Sequence, residues 1–155
     1  MLLTLLIGSL ALVINMTIQV VAIVIILTFL LRNLELYQLK SRYRTEIRVL
    51  SILVLALFTG HLLQFAIWAV LFFFLGEFAD FQTAFYHSVV NFTSLGYGDI
   101  VMSEKWRLLG GLEAANGILM FGLSAGALMS AMTRLFRKRA GATELPEITS
   151  EQLKR

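Results

Sequence analysis

From Leu2 to Leu31 the chain carries no charged side chain. About 20 apolar residues already cross a bilayer core of roughly 30 Å, so this run of 30 is read as a transmembrane helix. A cleaved signal peptide would show a basic leader and an apolar core of about 7–15 residues. The run shows neither, and a retained span is expected. Two more apolar runs follow. One extends from Val49 to Leu75, broken by His61 and Gln64; the other extends from Trp106 to Thr133 and holds a single acid, Glu113.

Composition narrows the class further. Hydrophobic residues make up 58% and charged residues 15% of the 155 positions, and mean hydropathy is +0.80. Soluble domains run at about 45–50% and 25%. So few charges cannot cover a soluble monomer of this size, which argues against a soluble enzyme, a disordered chain or a nucleic-acid binder. The chain has no cysteine, so disulfides, thiolate zinc sites and cysteine nucleophiles are excluded, and no redox compartment can be read.

Charge placement sets the expected orientation. Net charge is +3 over residues 32–48, −2 over 76–107 and +3 over 134–155. Basic loops stay in the cytoplasm. Three spans then put the amino terminus outside and the carboxyl terminus inside, in a cell membrane that is expected to be the bacterial inner one. The expected organisation is an amino-terminal transmembrane helix (1–31), a basic cytoplasmic linker (32–48), a pore domain (49–135) and a short cytoplasmic tail (136–155). Leu36, Leu39, Tyr43 and Ile47 recur at helical spacing among the linker's basic residues. That linker is either an interfacial helix on anionic headgroups or a plain solvated connection.

Residues 80–99 fit no simple span. They join the outer ends of two spans, yet Phe81, Phe85, Tyr86, Val89, Val90 and Phe92 are too apolar for an exposed loop. A segment that enters the membrane and returns on the same side satisfies both facts. Non-helical backbone at that depth is tolerated where it is buried in protein or lines a water-filled path. Asp80 is a suitable helix cap, and 81–92 is long enough for a half-membrane helix. After it come Thr93, Ser94, Leu95, Gly96, Tyr97, Gly98 and Asp99. The two glycines permit positive φ on either side of Tyr97. Alternating left- and right-handed residues turn successive carbonyls to one side of an extended strand.

Thr-Ser-Leu-Gly-Tyr-Gly-Asp resembles the filter of the potassium-channel pore family, and the likeness spans about residues 50–135. It is nearest to small bacterial channels with one extra amino-terminal span. The resemblance implies an all-α membrane protein with three transmembrane helices, a re-entrant pore helix (81–92) and a filter loop (93–99). An outer helix (49–75) and an inner helix (106–135) would flank them. It implies K⁺ held by the carbonyls of Ser94, Leu95, Gly96 and Tyr97, with the Ser94 hydroxyl at the innermost site. Thr93 would support the filter from behind, Gly98 would continue it, and Asp99 would raise the cation concentration at the outer mouth. The carboxyl end of helix 81–92 would point its partial negative charge at a cation. Asp99 is expected to bond Tyr86 or His87. Val90 stands where some members carry a glutamate, and Met102 where many carry a proline. One strand cannot surround an ion, so a homotetramer with fourfold symmetry is expected. No cofactor beyond permeant K⁺, no nucleic acid and no small-molecule substrate is implied.

The inner helix is rich in small residues. Gly122 and Gly126 form a GxxxG pair suited to close packing, and Gly117 and Gly122 are hinge candidates by resemblance. Leu119, Gly122, Gly126 and Ser130 form one candidate pore stripe; Asn116, Met120 and Ser124 form another. Glu113 is expected to support the filter through His87 or backbone, or to act as a cation contact or proton sensor. Asn15 and Gln19, four apart, are expected to face other helices, and His61 and His87 to be satisfied within the membrane. No span carries the periodic basic residues of a voltage sensor. The leading function is a K⁺-selective channel, not an enzyme. The alternatives are a weakly selective monovalent cation channel and a non-conducting scaffold or subunit.

Overall fold

The computed structural model describes residues 1–34 and 42–139. Four helices account for most of it: α1 (Leu2–Leu34), α2 (Arg42–Phe74), α3 (Phe81–Phe92) and α4 (Arg107–Arg139). The stretches Leu2–Thr28, Glu46–Phe74 and Arg107–Leu135 are each long and apolar enough to cross a membrane. At 1.5 Å per residue the three 33-residue helices are about 50 Å long and overshoot the hydrocarbon core, whereas the 12 residues of α3 reach about 18 Å.

The basic stretch 32–48 is not one separate element. Residues 32–34 end α1 and 42–48 form the first turns of α2. An interfacial helix distinct from α2 is therefore absent over 42–48, because the run of residues without glycine or proline continues straight into the apolar span. Residues 35–41 and the tail beyond 139 lie outside the described residues. The inner helix likewise continues past 135 to Arg139.

All four helices meet in one core. Ala11 of α1, Phe65, Trp68, Ala69 and Phe72 of α2, Ala84 and Phe92 of α3, and Leu109 and Met120 of α4 pack together with Met102 and Trp106. Phe92 is its centre, with ring centroids 4.9 Å from Phe65 and 5.8 Å from Phe121, both edge-on. Lipid is as apolar as these side chains, so dispersion and shape rather than water exclusion hold them. Toward the other end, Leu53, Leu57 and Ala131 pack with Ile23 and Leu128, and Val49 packs with Leu135. The first helix thus packs within its own chain, on α4 and α2. Many of its large side chains, such as Leu6, Leu10, Val24 and Ile25, stay exposed, as a lipid-facing surface requires.

α2 and α3 stop by the same device. At the end of α2, Gly76 N–H bonds Phe73 O and Glu77 N–H bonds Phe72 O, with Gly76 at φ +74°. At the end of α3, Ser94 N–H bonds Asn91 O and Leu95 N–H bonds Val90 O, with Ser94 at φ +58°. Both are Schellman caps, which need a left-handed residue just past the helix. Glycine takes that role freely at 76. Serine does so at 94 at a backbone cost of about 1–2 kcal/mol.

Candidate functional site

α3 is fixed at both ends. Asp80 caps it, its carboxylate accepting from Thr83 N–H and from the Thr83 hydroxyl, each at 2.8 Å. Those donors hold the Asp80 carboxyl below the usual carboxylate range. Two turns later Ser88 donates to Phe65 O at 2.9 Å, tying α3 to α2. At the far end the Thr93 hydroxyl returns to Val89 O at 2.7 Å, so Thr93 turns back onto the helix behind the strand it opens.

The strand itself is unusual in three respects. Its φ values are positive at Ser94 (+58°), Gly96 (+58°) and Gly98 (+73°), so the handed alternation begins two residues before the first glycine. Residues 94–99 are all exposed in the single chain, Leu95 at 54% and Tyr97 at 67%. Among the described residues, no hydrogen bond reaches a carbonyl oxygen between Thr93 and Asp99. Seven consecutive acceptors without a partner demand something else to satisfy them, because backbone carbonyls at membrane depth are costly when bare.

Behind and above this strand the side chains are paired. The Tyr86 hydroxyl donates to Asp99 Oδ2 at 2.7 Å and holds that carboxyl below its usual range. Of the two expected partners for Asp99, the structure selects Tyr86. His87 instead bridges to Ile100 O through Nδ1 at 3.1 Å, and its Nε2 meets Asn91 Nδ2 at 2.7 Å. With Nδ1 protonated and Nε2 accepting from the Asn91 amide, both contacts are satisfied. Glu77 accepts from the Ser103 N–H and hydroxyl, at 2.7 Å each, which ties the turn after α2 to the loop before α4. Met102, which stands where many channels of the resembled family carry a proline, is buried in the core.

Glu113 bonds α3 at a different residue from the one expected. It is fully buried, and its partner is the Ser88 hydroxyl, neither His87 nor backbone. The reason is angular. Successive helix residues turn by about 100°, so His87 faces Phe72, Phe78 and Ile100 while Ser88 faces Phe65 and α4. Glu113 therefore joins the inner helix to the pore helix one residue along from the expected place.

The inner-helix candidates also separate. An added Cβ at Gly117 would lie 1.8 Å from Phe92 O, so this glycine lets α4 touch the end of α3. At Gly122 and Gly126 an added Cβ would meet nothing within 4 Å. Close packing of that GxxxG pair inside the chain is thus not what the structure shows. The two glycines line an apolar groove of about 690 Å³ between α1 and α4. Asn116, Met120 and Ser124 are buried against the chain's own helices, while Leu119, Gly122 and Gly126 are open and Ser130 is half-buried. Of the two candidate stripes, the one from Leu119 to Ser130 remains available to a passage or a neighbouring subunit.

Sequence reasoning did not single out Ser88 or Asn91. The spacing of His87 and Asn91, one helical turn apart in an otherwise apolar helix, was the available signal for the second. Among the described residues no group of three or more His, Asp or Glu side chains could hold a metal ion.

A half-membrane helix delivering an unpaired, handed strand between two spans is the architecture of a pore. Comparison agrees: a family model described as "Ion channel" matches residues 52–134, more than half of the chain, from α2 through α4. No curated protein and no solved structure matches. The chain is a membrane protein and belongs to this ion-channel family.

Proposed function

We propose that four copies of this chain surround an axis and conduct K⁺ selectively through a filter made of Thr93, Ser94, Leu95, Gly96, Tyr97 and Gly98. The observation that carries this is the row of unbonded carbonyls on a strand with positive φ at every second residue. A dehydrated cation needs several oxygens around it, and one strand offers them on one side only. Fourfold repetition closes the ring and lets backbone dipoles replace the hydration shell. The exposed Leu95 and Tyr97 then gain a protein neighbour instead of lipid or water.

The surroundings support the same reading. The carboxyl end of α3 leads into the strand and contributes partial negative charge. Asp99, kept ionised by Tyr86, concentrates cations at the mouth. An orientation with the mouth outside and the ends of α4 and α1 inside is supported by the basic segments at those ends.

The test is flux from proteoliposomes holding the purified chain, with K⁺ or Na⁺ as the permeant ion. Flux that is fast with K⁺ and slow with Na⁺ is expected. Equal rates would replace this proposal with a weakly selective cation channel. No flux from a clean tetramer would replace it with a scaffold.

A further inference from the structure

Four buried polar side chains from three helices form a closed ring. Gln64 donates from Nε2 to Gln19 Oε1 at 2.9 Å. Gln19 Nε2 donates to Ser124 Oγ at 2.7 Å. Ser124 Oγ and His61 Nε2 are 3.0 Å apart, and His61 Nδ1 lies 3.2 Å from Gln64 Oε1. One proton arrangement satisfies all four contacts: a neutral His61 protonated at Nδ1, accepting from Ser124 and donating to Gln64. Each member then donates once and accepts once, and a ring of this kind strengthens its own bonds where water is excluded. All four residues are buried.

The place of the ring on α4 gives it a consequence. The outer half of α4 is fastened at Glu113 by Ser88, at Gly117 by the Phe92 carbonyl, and at Gly110, where Asn91 closes in. Gly122 follows, with open space beside it, and a glycine in a helix interior is where bending costs least. Ser124 comes two residues later. From Gly122 to Leu135 it is the one side chain of α4 that is hydrogen-bonded to another helix. Any bend at Gly122 must therefore carry Gln19 and His61 along or break the ring.

We propose that Gln19, His61, Gln64 and Ser124 are positioning residues of the ion path, holding the inner half of α4 in its present posture and so setting the balance between conducting and non-conducting states. The extra helix α1, which lies outside the matched channel region, is on this account part of the gate. The proposal rests on the channel reading above.

Single-channel recording and proteoliposome flux of the full chain test it with Gln19→Met, Ser124→Ala, the double variant and Ser124→Thr. Hydrogen bonds between membrane helices are modest, so each disruptive variant should shift the open-to-closed ratio by about 3- to 20-fold. All should shift it in the same direction. The double variant should match a single one, because a ring breaks once. Ser124→Thr, which keeps the hydroxyl, should stay near the parent. Unitary current and K⁺/Na⁺ preference should not change. An unchanged ratio, additive effects or a threonine variant that behaves like alanine would each overturn the proposal. If Ser124→Ala fails to assemble, Gln19→Met breaks the same bond from outside the pore region and decides the matter. A parent chain that passes no ions defeats the channel reading instead, so the two failures are distinguishable.

Discussion

Two polar regions in this apolar chain treat hydrogen bonds in opposite ways. The ring of Gln19, His61, Gln64 and Ser124 satisfies itself inside the chain, buried among three helices. Among the described residues, no donor meets the seven carbonyls of the strand 93–99, and its residues 94–99 lie open. In lipid neither arrangement is neutral. Internal satisfaction stabilises one posture of one subunit, whereas a row of bare acceptors is stable only with ligands or neighbours. The contrast teaches how to tell a structural polar group from a working one here: ask where its partner is.

The sharpest way to break the contrast is at the glycines of the strand. Gly96→Ala and Gly98→Ala force a side chain onto residues at φ +58° and +73°, in positions where no atom lies within 4 Å of the new Cβ. The cost is therefore conformational, about 1–2 kcal/mol against the left-handed backbone, without a clash inside the chain. Both variants should still assemble, and selective K⁺ flux should fall by more than tenfold. Unchanged flux and selectivity in both would refute the filter assignment.

Gly117→Ala comes next. Here the backbone is allowed and the space is not, because the methyl would meet the Phe92 carbonyl. Overpacking of this kind costs about 3 kcal/mol, and thermal unfolding in detergent should report it. Gly122→Ala, with free space, should instead stabilise by about 0.5–1 kcal/mol, because alanine suits a helix interior better than glycine.

Ser94→Gly sharpens the comparison of the two Schellman caps. It should stabilise the end of α3 by about 1 kcal/mol, as Gly76 does at the end of α2. With the Ser94 hydroxyl gone from the innermost ion position of the proposed filter, the same variant should also weaken K⁺ binding there, read as lower flux at limiting K⁺. A variant that is less stable than the parent would contradict the strained assignment.

The smallest effect is expected at the mouth. Asp99 is held below its usual range by the Tyr86 hydroxyl, so its charge persists until the pH falls below the ordinary carboxylate value of about 4. The stabilising contact is present above the unfolded value and lost as pH falls through the folded one. Tyr86→Phe should move the acid loss of K⁺ current in low salt upward, toward pH 4. A midpoint that stays in place would detach Asp99 from the current.

Much of this architecture was legible from local signals. Charge-free runs mark spans because a bilayer excludes charge, and Asp80 before an apolar segment marks a short helix. The glycines of Gly-Tyr-Gly announce positive φ. Ser94 did not announce its own, because a left-handed serine is set by the cap and strand around it, not by its identity. Likewise Asn15 and Gln19 could be placed on a helix-facing side. Asn15 turns back to its own helix at Ala11 O, while Gln19 reaches Ser124, 105 residues away.

The sequence by itself determined the solvent, the number of spans and the segment that re-enters, since each follows from hydropathy and backbone freedom over a few residues. Tertiary structure decided which polar atoms meet: Ser88 rather than His87 for Glu113, Tyr86 for Asp99, Ser124 for Gln19. It also decided which glycine is packed and which is free. Those outcomes depend on the rotation and depth of one helix against another. A turn of 100° per residue makes them sensitive to a single step of register, and no local pattern records that step.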